Sequence, residues 1–273
     1  MMNTEKTGSG YFQQGMILFH RGDFPGAQRL LELALKEARE QKDLQHLSGI
    51  LGNLGNICAT LGETRKAAAF YQEVLDIQKK APDYRTVGQT LVNLGNLFRE
   101  KGESNRARAY YLEAKDFIEK AQDNHSLGTL FSNLGLLEMH AGEVGKAIPF
   151  FKKALDLHKQ TGNEEGLAAT WGQLGKAYQF LKVFKKAETC FNFSYTHFGH
   201  IGHPSGEKEA LVYLADLYEL REQRELSLRC LERVLEINKR FRFKEPEEFT
   251  IRVKNLRKAI HPTSVYPNLK AKG

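Results

Sequence analysis

A glycine returns every forty residues along this chain, at Gly15, Gly55, Gly95, Gly135 and Gly175, with Ala215 at the sixth step. Each lies in a stretch that otherwise reads as helix, where glycine is about 1 kcal/mol less favourable than alanine. A penalty repeated at one spacing calls for a shared cause, and a helix–helix contact too close for a side chain is the simplest. Other positions keep the same period. Seven residues after the helical glycine stands another, at Gly22, Gly62, Gly102 and Gly142, where a turn is expected; Lys182 and Glu222 replace it in the last two copies. Twelve residues after it comes Ala27, Ala67, Ala107, Ala147 or Ala187, then Ser227. Four further on is a large apolar residue: Leu31, Tyr71, Tyr111, Phe151, Phe191 or Leu231. Pairs such as Leu51/Leu54, Leu91/Leu94 and Trp171/Leu174 supply apolar residues at helical spacing before it. Self-similarity at such a period marks stacked repeats, which present a long surface rather than a catalytic cleft.

The fifth copy, Trp171-Gly172-Gln173-Leu174-Gly175-Lys176-Ala177-Tyr178, resembles the tetratricopeptide-repeat consensus most fully, and the resemblance extends over roughly residues 8–240. The period exceeds the usual thirty-four residues and is similar to that of kinesin light chain and of the Leu-Gly-Asn repeat adaptors of mitotic spindle orientation. Leu51-Gly52-Asn53-Leu54-Gly55-Asn56 is especially close to the latter. The resemblance implies an all-α fold, a right-handed α-solenoid of six helical-hairpin repeats over residues 8–241. Terminal copies of a stack are expected to be atypical; here Gln14 stands where later copies have leucine, and the sixth copy lacks the glycine. Phe249, Val253, Leu256 and Ile260 follow Pro246 at helical spacing, which predicts a capping helix over 245–261. Residues 1–7 read as a disordered N-terminus and 262–273 as a tail.

Charge narrows the partner class. The chain carries a net +7, yet from Lys239 onward there are ten basic and three acidic residues, so the preceding repeats are neutral. A neutral body argues against a nucleic-acid groove along the repeats, which would need phosphate-neutralising charge throughout. The alternative function the charge leaves open is binding of nucleic acid or an acidic surface through the terminal cluster, with the repeats as spacer. That cluster includes Lys239, Arg240, Arg242, Lys244, Arg252, Lys254, Arg257 and Lys258. Cys58, Cys190 and Cys230 form an odd, unpaired set, as expected of reduced residues in a cytoplasmic protein. No apolar run approaches the length of a membrane span.

Placing each first-helix glycine at zero degrees and stepping about 100° per residue sets a polar stripe opposite the apolar one. It comprises Gly49, Asn53, Asn56 and Thr60, then Gln89, Asn93, Asn96 and Glu100. The next copies give Thr129, Asn133, Leu136 and His140, then Ala169, Gln173, Lys176 and Phe180. The resemblance implies that this face lines a concave groove, with Asn53, Asn93 and Asn133 at one peptide-binding position and Asn56 and Asn96 at another. An asparagine amide offers both donor and acceptor, so a row of them can pair with the backbone of an extended ligand. The expected binding set is therefore Asn53, Asn56, Asn93, Asn96, Asn133, Gln173 and Lys176, and the expected partner a protein or peptide segment. End-to-end self-association of imperfectly capped stacks is a further option.

Arg99 and Lys176, from different repeats, do not form the basic pair that chaperone-tail clamps place beside two asparagines. His197, His200 and His203 read as a flexible histidine-bearing link without a native metal. No phosphate-binding loop, nucleophile elbow or metalloprotease signature appears. The sequence therefore reads as a non-catalytic adaptor or scaffold with no cofactor.

Overall fold

The structure is a computed structural model that describes residues 7–79, 82–244 and 247–260. Among these residues it contains thirteen helices and no strand. In chain order they are α1 (Thr7–His20), α2 (Phe24–Gln41), α3 (Leu44–Thr60), α4 (Thr64–Gln78), α5 (Tyr84–Glu100), α6 (Ser104–Lys120) and α7 (Asn124–His140). Then follow α8 (Val144–Thr161), α9 (Glu164–Phe180), α10 (Phe184–His200), α11 (Pro204–Leu220), α12 (Arg224–Phe241) and α13 (Glu247–Ile260). Thr7 opens α1; residues 1–6 of the expected N-terminal segment, the tail at 262–273 and Pro246 lie outside the described residues. No described helix is long and apolar enough to cross a membrane.

The periodic glycines do two different jobs. Those at the ends of first helices, Gly22, Gly62, Gly102 and Gly142, take φ of 80°, 76°, 76° and 79°. Lys182 and Glu222 adopt the same left-handed conformation at φ 58°, which costs a side-chain-bearing residue about 1–2 kcal/mol. The glycines inside the helices make room. A Cβ on Gly55 would overlap the Tyr71 ring, one on Gly95 the Tyr111 ring, and one on Gly175 the Phe191 ring. The large residue sixteen positions on thus lies flat against the bare glycine backbone of its partner helix. Ala27, Ala67, Ala107, Ala147, Ala187 and Ser227 have no exposure at all, closing the same hairpins from the second helix.

A second period fixes the starts of the first helices. Asp43, Asp83, Asp123 and Asn163 cap α3, α5, α7 and α9 by accepting from the backbone N–H of His46, Arg85, Ser126 and Gly166. These side chains satisfy donors the helix cannot satisfy internally. At the next step His203 takes over, its Nδ1 3.0 Å from the Gly206 nitrogen.

The unbroken period leads one to expect a single cooperative array. The helices fall into two compact units that divide between Ala141 and Gly142, each described by itself below. In the first unit, Leu31, Leu51, Leu54 and Ile57 form a core with Ala34 and Val74. In the second, Phe191 packs with Leu214, Leu217 and Tyr218. There α13 lays Val253, flanked by Phe249 and Leu256, on Ala215 and Leu231.

Candidate functional site

The asparagine row of the first unit lies on α3, α5 and α7, and its members are half-buried. Asn53 turns its Nδ2 back to the Gly49 carbonyl at 2.8 Å. Asn93 accepts from Gln89 Nε2 at 3.2 Å and donates its own Nδ2 to Asn56 Oδ1 at 3.0 Å, joining α5 to α3. Asn133 accepts from Arg99 Nη1 at 3.4 Å, joining α7 to α5. Asn56 and Asn93 of successive repeats therefore meet directly, while Asn133 is joined to the repeat before it through Arg99.

Asn56 and Asn96 have an inward duty that the register did not predict. The Tyr71 hydroxyl donates to Asn56 Oδ1 at 2.7 Å, and the Tyr111 hydroxyl to Asn96 Oδ1 at 2.6 Å. Both tyrosines are almost wholly buried, and a buried hydroxyl without an acceptor is destabilising by about 1–3 kcal/mol. Burial pushes the Tyr111 phenol up to about 12 and raises Tyr71 further, so both stay protonated donors. The pairing was visible in the sequence. Asparagine occurs where the stacked aromatic is tyrosine, in Asn56/Tyr71 and Asn96/Tyr111; where it is phenylalanine the partners are Leu136/Phe151 and Lys176/Phe191. With both Tyr71 and Asn93 donating to it, the Asn56 oxygen has no lone pair left for a ligand.

Arg99 enters the same face, although its helix position sets it apart from the asparagines. Its side chain is only 12% exposed and reaches Tyr111 Oη at 3.5 Å as well as Asn133. The nearest carboxylate, Glu100, is 3.9 Å from Nη2, and the buried Nε has no hydrogen-bond partner. An apolar cleft of about 420 Å³ on the same unit, lined by Leu75, Val87, Leu91, Tyr110 and Phe117, shares no residue with the row.

In the second unit Gln173 and Lys176 are half-buried on α9. Lys176 Nζ sits 4.9 Å from the centre of the Tyr213 ring, and the Tyr213 hydroxyl donates to Glu209. Part of the basic terminal cluster is neutralised within this unit. Arg252 Nη2 holds Asp216 at 2.6 Å and Glu219 at 2.9 Å, and Arg257 Nη2 holds Glu232 at 2.7 Å.

The histidine segment is not the flexible link its glycines suggest. His197 and His200 belong to the last turn of α10, and His203 is the cap of α11. His197 Nδ1 lies 3.1 Å from Glu164 Oε2. Among the described residues no group of three or more His, Cys, Asp or Glu side chains is arranged to hold a metal ion. The three cysteines are free, and burial pushes Cys58 and Cys230 up to about 11 and Cys190 to about 12.

Comparison with known proteins agrees with the helical-repeat fold. The tetratricopeptide-repeat family model matches residues 7–80, 47–120 and 126–198. No curated protein matches the sequence closely enough to count as a relative. Among solved structures, BtubC from P. vanneervenii is similar at 17% identity and a TM-score of 0.69, over 80% of this chain and 92% of that one. A signal-transduction ATPase with a tetratricopeptide-repeat sensor from Pyrococcus horikoshii aligns at 18% identity and 0.72, over 95% of this chain but 43% of its own length. A Rap protein complexed with competence and sporulation factor aligns at 15% and 0.71, over 95% and 77%. At these identities the likeness is one of fold. The family model covers well over half of the sequence, and the chain belongs to the tetratricopeptide-repeat family.

Proposed function

We propose that this chain is a non-catalytic adaptor whose first unit holds an extended or helical segment of a partner protein against the asparagine row of α3, α5 and α7. Its repeats make it a protein-interaction scaffold, the general role of this family. The observation that carries the finer reading is the Asn93–Asn56 hydrogen bond between neighbouring repeats. It lines up amides that remain half-exposed, so one bound segment can touch several in turn. Asn53, Asn93 and Asn133 are the primary contacts. Asn56 and Asn96 act chiefly through the amide hydrogens left over after their oxygens serve Tyr71 and Tyr111. Gln173 and Lys176 form the equivalent surface of the second unit, taken separately. The Rap protein of similar fold was solved in complex with a factor, which supports the reading by analogy of fold. A cytoplasmic setting is supported by the three free cysteines.

The test begins with a partner captured from cell extract, purified, and titrated by calorimetry against the wild type and the Asn53→Ala/Asn93→Ala/Asn133→Ala variant. Each lost amide–backbone bond is worth about 1 kcal/mol, so the triple variant should bind more than tenfold more weakly. Equal affinity with unchanged helicity would remove the row from the binding surface.

A further inference from the structure

We propose that the second unit carries a self-association surface, in which the edge at the ends of α9 and α11 pairs two copies of this chain about a two-fold axis. Partner binding at the asparagine row of the first unit does not depend on it.

This edge is apolar where the earlier repeats are polar. The first helices α1, α3, α5 and α7 end on exposed His20, Thr60, Glu100 and His140. Their counterparts α9 and α11 end on Phe180 and Leu220, at 67% and 62% the most exposed large apolar side chains among the described residues. Three residues further on, Glu63, Glu103 and Glu143 pair with Lys66, Arg106 and Lys146. The fifth repeat has exposed Val183 at that step, and Lys186 sits 5.4 Å from the centre of the Tyr178 ring instead of beside a carboxylate. The earlier repeats fold with polar groups at these positions, so stacking does not require the change. Apolar side chains gathered on one exposed edge mark a surface that another surface covers. The helices α9 and α11 touch, which brings their ends to the same edge. Leu226 and Ile260 extend it, lining a shallow cleft of about 450 Å³ beside the α11–α12 turn.

The charges beside the apolar residues identify the occupant. The α9–α10 turn and the start of α10 carry Lys182, Lys185 and Lys186, all positive. The α11–α12 turn and the start of α12 carry Glu222 and Glu225 with Arg224 between them, a net negative charge. None of these six makes an ion pair among the described residues, whereas neighbouring Arg221 is already held by Glu188 at 2.7 Å. An edge that is basic at one turn and acidic at the next complements itself when reversed. A two-fold interface brings one patch against the same patch of the second copy. The lysine-bearing turn of each copy then faces the glutamate-bearing turn of the other, and Phe180 and Leu220 are covered between them. An acidic partner or an anionic lipid surface would leave Glu222 and Glu225 facing like charge, and a basic partner would oppose the lysines. A second copy answers both signs at once.

Sedimentation equilibrium of the full chain at rising concentration tests this, with circular dichroism verifying that each variant is folded. The wild type should approach twice the 31.0 kDa of one chain. Phe180→Ser/Leu220→Ser should raise the dimer dissociation constant about a hundredfold or more, since a two-fold interface counts each substitution twice. Lys182→Glu/Lys185→Glu and Glu222→Lys/Glu225→Lys should each associate more weakly alone. Lys182 and Glu222 share a φ of 58°, so each exchange places at that position a residue type the other turn already carries there. A mixture of the two charge variants should recover association, because each supplies the sign the other has lost. A wild type that stays at 31.0 kDa, or a dimer indifferent to Phe180→Ser/Leu220→Ser, would overturn the inference. So would charge variants that do not recover on mixing. A monomer that binds phosphatidylserine vesicles through Phe180 and Leu220 would assign the edge to a lipid surface and overturn it equally.

Discussion

The asparagine–tyrosine pairs make a quantitative prediction through a double-mutant cycle at Asn96 and Tyr111. Tyr111 has no exposure, and its hydroxyl lies 2.6 Å from Asn96 Oδ1 with only the long Arg99 contact besides. Asn96→Leu leaves that hydroxyl without its good acceptor, at a loss of about 1–3 kcal/mol. Tyr111→Phe removes the donor from a half-exposed amide that water can reach, at a loss of about 1 kcal/mol or less. The double variant reproduces the Leu136/Phe151 combination that the next repeat already carries, where Phe151 is likewise fully buried. Exchanging both partners for apolar groups is nearly neutral, so the double variant should sit within about 0.5 kcal/mol of the wild type. The coupling is then about 1–3 kcal/mol, or several degrees in melting temperature at about 2–4 °C per kcal/mol. Urea denaturation followed by circular dichroism reads it, provided the slope m is unchanged between variants. Losses that add within about 0.3–0.5 kcal/mol would mean that Asn96 and Tyr111 do not depend on each other, and the inward duty assigned to Asn96 would be wrong.

Other expectations follow from single sites. Gly52→Ala, whose Cβ would meet nothing within 4 Å, should stabilise the chain by up to about 1 kcal/mol, whereas Gly95→Ala, whose Cβ strikes the Tyr111 ring, should destabilise it by about 1–3 kcal/mol; thermal melts of the pair decide. Burial opposes ionisation of Asp123, but bonds from the Ser126 amide and hydroxyl and the charge of Arg85 leave its carboxyl below the usual range. A lowered folded value means that its contribution is present above about pH 4 and lost as pH falls through the folded value, and Asp123→Ala should abolish that part of the acid transition along with about 1 kcal/mol of capping. With their pKa values raised to about 11–12, the three thiols should react with a disulfide reagent at pH 8 far more slowly than in urea, and equal rates would contradict their burial.

Much of the fold was legible because steric demands repeat. Gly55, Gly95 and Gly175 and their aromatic partners sixteen residues on report a close approach, and the approach is there. Val253, Leu256 and Phe249 similarly announced the packing of α13. The caps Asp43, Asp83, Asp123 and Asn163 were equally periodic but hid among other polar residues, since only a side chain's local bond distinguishes a cap from a solvated aspartate. His203 misled for the same reason: a histidine beside glycine suggests a loose link until its nitrogen is seen to end a helix. At the candidate site, helix geometry put Asn53, Asn93 and Asn133 on one face. It could not say that Asn56 also serves a tyrosine, nor that the long Arg99 side chain reaches across to the next repeat. Hydrogen bonds between repeats depend on which rotamers meet, and the only trace of them in the sequence is the joint change of Asn/Tyr to Leu/Phe.

The most direct measurement of where a partner lies is site-specific photo-cross-linking with the purified partner. A photoreactive residue at Gln89, exposed beside Asn93 on α5, is compared with one at Leu112, exposed on α6. A partner held on the asparagine face should be captured from position 89 in one defined segment and not from position 112. Capture from position 112 alone would place the partner on the second helices and contradict the account.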